Sequence, residues 1–377
     1  MDNVEGLRTW IELNTENIKK NYQAFRSLLV PEVKMMAVVK SNAYGHGLVD
    51  FSKEIENCGI DWLGVDSVVE GLTLRKEGIK APILVLGFTL PERIEEAVEA
   101  DVSITVSNMP LLEKIVTLKL SKKVKIHVKA DTGLHRQGFE ESEMKNVIDF
   151  LAAHADIFHV EGLYTHFAKA KDPADKSYTL EQLAVFNAWR DGFRQAGFTP
   201  IVHAAATGGA LIYPEAHFDM VRIGAGFYGI WPSKETRQAF ESKFKLHPVL
   251  SWKTIVVETK YFPKGVGIGY DLTETLGRDS TIAICPIGYW HGFPRSLSSI
   301  GEVIVNGKKA KVIGRVSMDM IVIDITDILE AKIGVQVTLV GMGKGEKIAA
   351  DDLAGKAGVS TYEFLTRINP LIYKKHI

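Results

Sequence analysis

Cysteine is scarce in this chain, with two among 377 residues, Cys58 and Cys285, both in apolar surroundings and neither in a CxxC. That excludes a disulfide framework and a thiolate zinc site, and both are expected as core residues in a reducing compartment. An excess of one charge is missing too. Lys+Arg number 45 against Asp+Glu 46, a formal net charge of −1, so there is no global electrostatic case for binding nucleic acid or an anionic membrane. No run approaches the ~18 apolar residues of a membrane span. The start, MDNVEGLRTW, carries neither a basic n-region nor an apolar h-region, and a cytoplasmic, soluble protein is expected. Short repeats, low-complexity tracts and Gly/Ser-rich linkers are absent from the sequence, so freely tethered domains are not expected. What these absences leave is a protein that acts on a small molecule and is long enough for two domains.

Thr9 to Leu13 reads as an isolated strand, followed by a helix with Ile18, Tyr22, Phe25 and Leu29 at helical spacing. Apolar strand-like runs then recur near 34 to 39, 61 to 65, 82 to 86, 102 to 106, 124 to 129, 158 to 165, 200 to 205 and 219 to 223, mostly separated by helix-length amphipathic segments. Eight alternating units predict an α/β (β/α)8 TIM-type barrel; a doubly wound open sheet is the alternative on pattern alone. From about Leu246 helical periods fade, and SWKTIVVETKYF, STIAICPIGYW, EVIVNGKKAKVIGRV and MIVIDITDI read as strands, with Asn306-Gly307 a hairpin turn. The expected domains are therefore a barrel over 1–243 and a smaller, mostly-β C-terminal domain over 244–377, with residues 1–14 candidates to pack with the latter.

In an α/β barrel, chemistry gathers where strands end. Lys40 ends the first predicted strand, Lys129 with the loop DTGLHRQG ends the fifth, His166 follows the sixth, Thr207 the seventh, and Arg222 and Gly224 end the eighth. A lysine at a strand end, against apolar walls, would lose solvation and suit Schiff-base chemistry with an aldehyde cofactor; the plain alternative is a solvated lysine. HAAATGG and RIGAG, after strands seven and eight, read as a phosphate cradle. GAGFYG matches GxGxxG, but it comes late and runs into Ile230-Trp231-Pro232, so it is not read as a dinucleotide fingerprint.

The run AVVKSNAYGHG closely resembles the pyridoxal phosphate lysine motif of alanine racemases, and the likeness continues through HAAATGGALIYPEAHFDMVRIGAGFYGIWPS, GLYTHFAKA, VKADTGLHRQGF and GRVSMDM. The resemblance implies pyridoxal 5'-phosphate on Lys40, with Tyr44, Thr207, Gly224 and Ala225 at its phosphate. It puts Arg222 at the pyridine nitrogen and His166 against that arginine. It also implies Arg136 and the Met318 amide at the substrate carboxylate, and Lys129 at a position often carbamylated in the family. The second base of the family is a tyrosine. The 19-residue spacing from Tyr270 to Tyr289 of IGY selects Tyr270, whereas a gap-free match on the preceding stretch would place Ile268 there. Asp271, replacing a glycine, is expected to point away from the phenol. Trp290 and His291 depart from the residues usual after IGY, and Pro370 stands where some members have a phosphate-binding tyrosine.

The function implied is an isomerase interconverting L- and D-alanine, in a homodimer whose subunits share active sites and with no metal. Lys40 and Tyr270 would remove and return a proton on opposite faces of the α-carbon. The alternatives are a racemase for serine or a basic amino acid, a non-catalytic pyridoxal phosphate carrier, and a metal-dependent hydrolase using Lys129, His166 and His203, although the usual HxH pair is missing.

Overall fold

The computed structural model describes residues 4–377, which divide into two compact units. One comprises residues 16–41 and 48–247, the other residues up to 15, 42–47 and 248–377.

The larger unit is a barrel of eight parallel strands: Lys34–Val38, Trp62–Val65, Ile83–Val85, Val102–Val106, Val124–Lys129, Phe158–Tyr164, Ile201–His203 and Met220–Ile223. The first seven pair in sequence order, and the eighth pairs with the first, Lys34 to Ala37 against Met220 to Ile223. Between the seventh and eighth the seam narrows to an Ala206–Arg222 bridge and the bonds Arg222 N–H to Ala205 O and Asp219 N–H to Val202 O. The strands are short, apolar and buried on both faces, as a sheet with helices outside requires. The sixth strand carries a register irregularity opposite Ile126 and His127, so that Val160 pairs with Ile126 but Gly162 with His127, leaving Glu161 unpaired in between.

The smaller unit is mostly β. Its sheet runs Glu258–Phe262, Ser280–Cys285, Ile321–Asp324, Lys308–Ile313, Glu302–Val305, Gln336–Met342, Leu250–Ile255, Thr9–Leu13 and Tyr373–His376. The N-terminal strand expected to be isolated is thus flanked on both sides, antiparallel to Leu250–Ile255 and parallel to Tyr373–His376. Asn306 and Gly307 turn the expected hairpin, with φ of 47° and 80°; two successive positive values are what a tight hairpin needs to follow the strands' right-handed twist.

Immediately after the first barrel strand, Lys40–Tyr44 forms a single helical turn in which Ser41, Asn42, Ala43 and Tyr44 have φ between 49° and 56°. The turn is left-handed. Four consecutive non-glycine residues there cost about 1–2 kcal/mol each. Gly45 follows with φ of 85°, and an added Cβ would lie 2.1 Å from the Leu365 carbonyl oxygen.

Candidate active site

The carboxyl ends of the barrel strands bring together Lys40, Lys129, Arg136, His166, Thr207, Arg222, Gly224 and Ala225 in one unit. Of the two environments left open for Lys40, the structure has the solvated one: its Nζ lies 3.3 Å from Asp66 Oδ1, and its side chain is 39% exposed. Asp66 and Ser41 are fixed by Glu70, whose carboxylate accepts both backbone N–H groups at 2.7 and 2.8 Å. An aspartate at the end of the second strand therefore supplies a polar partner to the amine.

Arg222 is fully enclosed. Its Nη1 donates to His203 Nδ1 at 2.8 Å and to His203 O at 3.0 Å; its Nη2 donates to Thr165 O at 2.7 Å and Ala204 O at 2.8 Å, with His166 Nδ1 at 3.3 Å. Nε is the donor left without an acceptor among the described residues. Burial lowers the guanidinium pKa to about 10, still charged at neutral pH. Burial, then the charge of Arg222, pushes His166 down to about 3, so its ring is neutral.

Behind Arg222 lies a chain that the sequence did not disclose. Arginine only donates, so His203 Nδ1 must accept. Burial first, then Arg222, holds His203 well below the usual histidine range, so its ring is neutral and its proton sits on Nε2. Nε2 lies 2.9 Å from His127 Nδ1, and His127 is likewise held neutral chiefly by burial; its Nε2 lies 3.4 Å from Glu161 Oε2 without forming a hydrogen bond to it. Glu161 takes the Ser103 hydroxyl. Tyr164 stacks on His203 with 7° between the rings and places its face 5.1 Å from the Arg222 guanidinium. Gly162 makes room for the His127 ring, since a Cβ there would lie 2.0 Å from Nδ1. The alternation in KIHVK and the Gly-Leu-Tyr of the sixth strand were the available signals.

Thr207 Oγ1 accepts the N–H groups of Gly224 and Gly226 at 3.2 and 3.3 Å, which ties the seventh and eighth loops together and leaves its own proton to donate. The Gly224 N–H is thus already engaged. The N–H groups of Gly208, Gly209 and Ala225 have no acceptor among the described residues. GAGFYG forms a short 3-10 turn over Ala225–Tyr228 closed by Gly229 at φ 76°, not a Rossmann helix.

Lys129 is buried and donates to Gln137 Oε1 at 3.2 Å. Burial and then the positive charges of Arg136 and Arg222 lower its pKa to about 8. The residues present therefore suit a phosphorylated pyridine aldehyde: a primary amine at the rim, a buried arginine N–H with no acceptor that could donate to a ring nitrogen, and free backbone N–H groups beside a hydroxyl that could take a phosphate.

The smaller unit holds the other expected residues. The Tyr44 ring packs 5.9 Å from that of Tyr362, and burial pushes both phenols up to about 12, so both stay protonated. Tyr270 opens a 3-10 turn, Tyr270–Leu272, and is 68% exposed, whereas Ile268 is packed in a cluster with Leu276, Ile282 and Ile313. Asp271 forms an ion pair with Arg315 at 3.2 Å. The N–H groups of Tyr289 and Trp290 donate to the Ser317 and Met318 carbonyls, both at 3.0 Å, while the Met318 N–H has no acceptor among the described residues.

The family described as alanine racemase, N-terminal domain, matches residues 13–232, and alanine racemase, C-terminal domain, matches residues 249–376. The chain is 36% identical over 370 residues to an alanine racemase of Leptospira interrogans, covering 97% of this chain and 94% of that protein. It is 37% identical over 372 residues to one of Methanococcus maripaludis, covering 97% and 98%. Among solved structures it superposes on an alanine racemase of Clostridium difficile with TM-score 0.92 and 32% identity, covering 98% of this chain and 96% of that one. A Bacillus anthracis alanine racemase with bound L-Ala-P gives TM-score 0.92 and 36% identity, covering 98% and 95%.

Proposed function

The chain belongs to the alanine racemase family, and on that premise we propose that it interconverts L- and D-alanine using pyridoxal 5'-phosphate held on Lys40. The observation that carries this reading is the meeting, on one rim, of the Lys40 amine with a buried arginine whose Nε–H is left for a ligand. When bound, the cofactor supplies an aldehyde and an electron-withdrawing ring that acidify the α-proton of an amino acid. Arg222 can only donate, so it keeps a proton off the nitrogen it faces and restrains ring chemistry that would lead to transamination. His166 and His203, both neutral, add no charge of their own to that arginine.

Thr207, the N–H groups of Gly208, Gly209 and Ala225, and the protonated Tyr44 phenol hold the phosphate; Gly224 supports Thr207. Lys40 Nζ and Tyr270 Oη each hold or take the proton, one on each side of the α-carbon, because a single rigid base would return it to the face it left. The exposed phenol of Tyr270 and the buried side chain of Ile268 support the spacing-based choice. Arg136 and the Met318 N–H take the substrate carboxylate. Lys129, with its lowered pKa, has a neutral fraction able to add to carbon dioxide with release of a proton; the anion so formed would pair with Arg136.

The assembly in this reading is a homodimer in the cytoplasm, each site completed by the partner's mostly-β domain. No helix among the described residues is long and apolar enough to cross a membrane. The rival substrates are not favoured, since the relatives above are named as alanine racemases. A bare cofactor carrier would not explain the C-terminal family match. The hydrolase reading loses a ligand, because both ring nitrogens of His203 are engaged by Arg222 and His127.

The test is to reconstitute the protein with pyridoxal phosphate, reduce it with borohydride and identify the labelled peptide, while following D-alanine formation from L-alanine. The label is expected on Lys40. Label on another lysine, or no visible band after adding cofactor, overturns the reading.

A further inference from the structure

The loop between the fifth barrel strand and the helix after it leaves the barrel at Lys129 and returns at Phe139. Its feet are tied: Phe139 N–H donates to Lys129 O and Asp131 N–H to Phe139 O, both at 2.9 Å. Gly138, at φ 142°, allows this approach, because a Cβ there would lie 2.5 Å from the Asp131 nitrogen. Thr132 and Thr165 share a hydroxyl bond at 2.8 Å, and Tyr178 donates to Gly133 O at 2.7 Å. The tip, Leu134 to Arg136, is different. Among the described residues its backbone bonds to nothing except one side chain, the carboxylate of Asp131.

That carboxylate accepts four successive N–H groups. Oδ1 takes those of Gly133, Leu134 and His135 at 2.9, 3.0 and 3.0 Å, and Oδ2 takes that of Arg136 at 3.0 Å. The chain winds around it with His135 at φ 54°. We propose that Asp131 is a positioning residue whose charged carboxylate fixes the backbone of Arg136, and so aims its guanidinium at the substrate carboxylate. This rests on the reading above in which Arg136 meets that carboxylate.

Two features support the charged form. Burial alone would raise the Asp131 pKa, but the four N–H groups together hold it below the usual carboxylate range. The carboxylate also lies close enough to Lys129 to offset part of the repulsion that Arg136, Arg222 and Lys40 impose on that lysine. Without it the tip would have no anchor, and the field of neighbouring cations would drive the guanidinium outward.

Asp131→Asn is the selective perturbation. Its amide oxygen can keep the three N–H groups on one side, but its NH2 then faces the Arg136 N–H, donor against donor. In the reconstituted holoenzyme the KM for alanine should rise about tenfold, the difference made by one hydrogen bond to a charged group, with a smaller fall in kcat. The inhibition constant of propionate, which presents only a carboxylate, should rise by the same factor. The visible-band response to ethylamine, an amine without a carboxylate, should not move; a general loosening of the barrel would shift it as well. Arg136→Lys is the companion arm. If it leaves KM and propionate inhibition unchanged, the role of Arg136 fails and this inference falls with it. If Arg136→Lys raises both while Asp131→Asn raises neither, the role of Arg136 stands and the positioning inference alone is overturned. Failure of Asp131→Asn to give soluble holoenzyme also overturns it, because it would show that the carboxylate supports the whole barrel rather than the loop tip.

Discussion

Gly162→Ala adds one methyl group, yet in this fold it should act on Arg222. The new Cβ would lie 2.0 Å from His127 Nδ1, 2.4 Å from Cε1 and 2.5 Å from Cγ, against an ordinary carbon contact of about 3.5–4.0 Å. The ring must therefore move by roughly 1.5 Å. It is fully buried and packs edge-on to Trp62 at 5.2 Å between centroids and to His203 at 5.1 Å, so it cannot move without breaking its 2.9 Å bond to His203. Overpacking of a close-packed core costs about 1–3 kcal/mol, and leaving buried ring nitrogens unpaired costs about 1–3 kcal/mol more. A loss of about 2–6 kcal/mol follows. Gly355→Ala is the matched control: that glycine lies inside the helix Ala350–Ala357, and a Cβ there meets nothing within 4 Å. It should gain about 0.5–1 kcal/mol. Urea unfolding of both variants beside the parent, followed by far-UV circular dichroism, measures the two effects. A Gly162→Ala midpoint equal to that of the parent would refute the claim that the His127 ring is clamped.

Stability should also depend on acid. His46 is pushed down to about 4, mainly by burial, and His166 to about 3; both are neutral in the fold, whereas an unfolded chain protonates them near pH 6.5. Stability is therefore fully present above about pH 6.5 and falls as the pH drops toward 4, by about 1.4 kcal/mol per pH unit for each such ring; a urea midpoint flat between pH 7 and 5 would contradict this. Gly45→Ala should lower stability by at least about 2 kcal/mol, because it combines φ of 85° with a Cβ 2.1 Å from Leu365 O; unfolding at the parent's urea concentration would refute the conflict. For the shared site, Lys40→Ala and Tyr270→Phe chains, each inactive alone, should recover about a quarter of the sites when mixed in equal amounts, since about half the dimers are mixed and each mixed dimer has one intact site. A verified heterodimer without activity would rule out bases on different chains.

Much of the barrel was legible because most strands are short apolar runs buried on both faces, and because Lys40, Thr207 and Arg222 fall at or near the carboxyl ends of such runs. The hairpin at Asn306-Gly307 was legible from its turn chemistry alone. The His127–His203 contact was not. The residues lie 76 apart in sequence, and whether they meet depends on the strand register and on the irregularity beside Glu161. Nor could Ser41 to Tyr44 announce a left-handed turn, since none of the four is glycine and local propensity opposes it. The surroundings of Lys40 could not be read for a similar reason. Asp66 reaches it from the next strand, and only the fold brings the two together.

The chain from Arg222 through His203 to His127 has a fixed sense, set by a residue that can only donate, and it points toward the Glu161 carboxylate. Its bond dipoles therefore add head to tail, as peptide dipoles do along a helix. The interior of the barrel is polarised along one direction before any ligand arrives. Because His127 and His203 are wholly buried, the mobile ions that screen surface charges over about 8–10 Å have little access to this field. A vibrational probe at the barrel mouth should register it nearly unchanged from low salt to high.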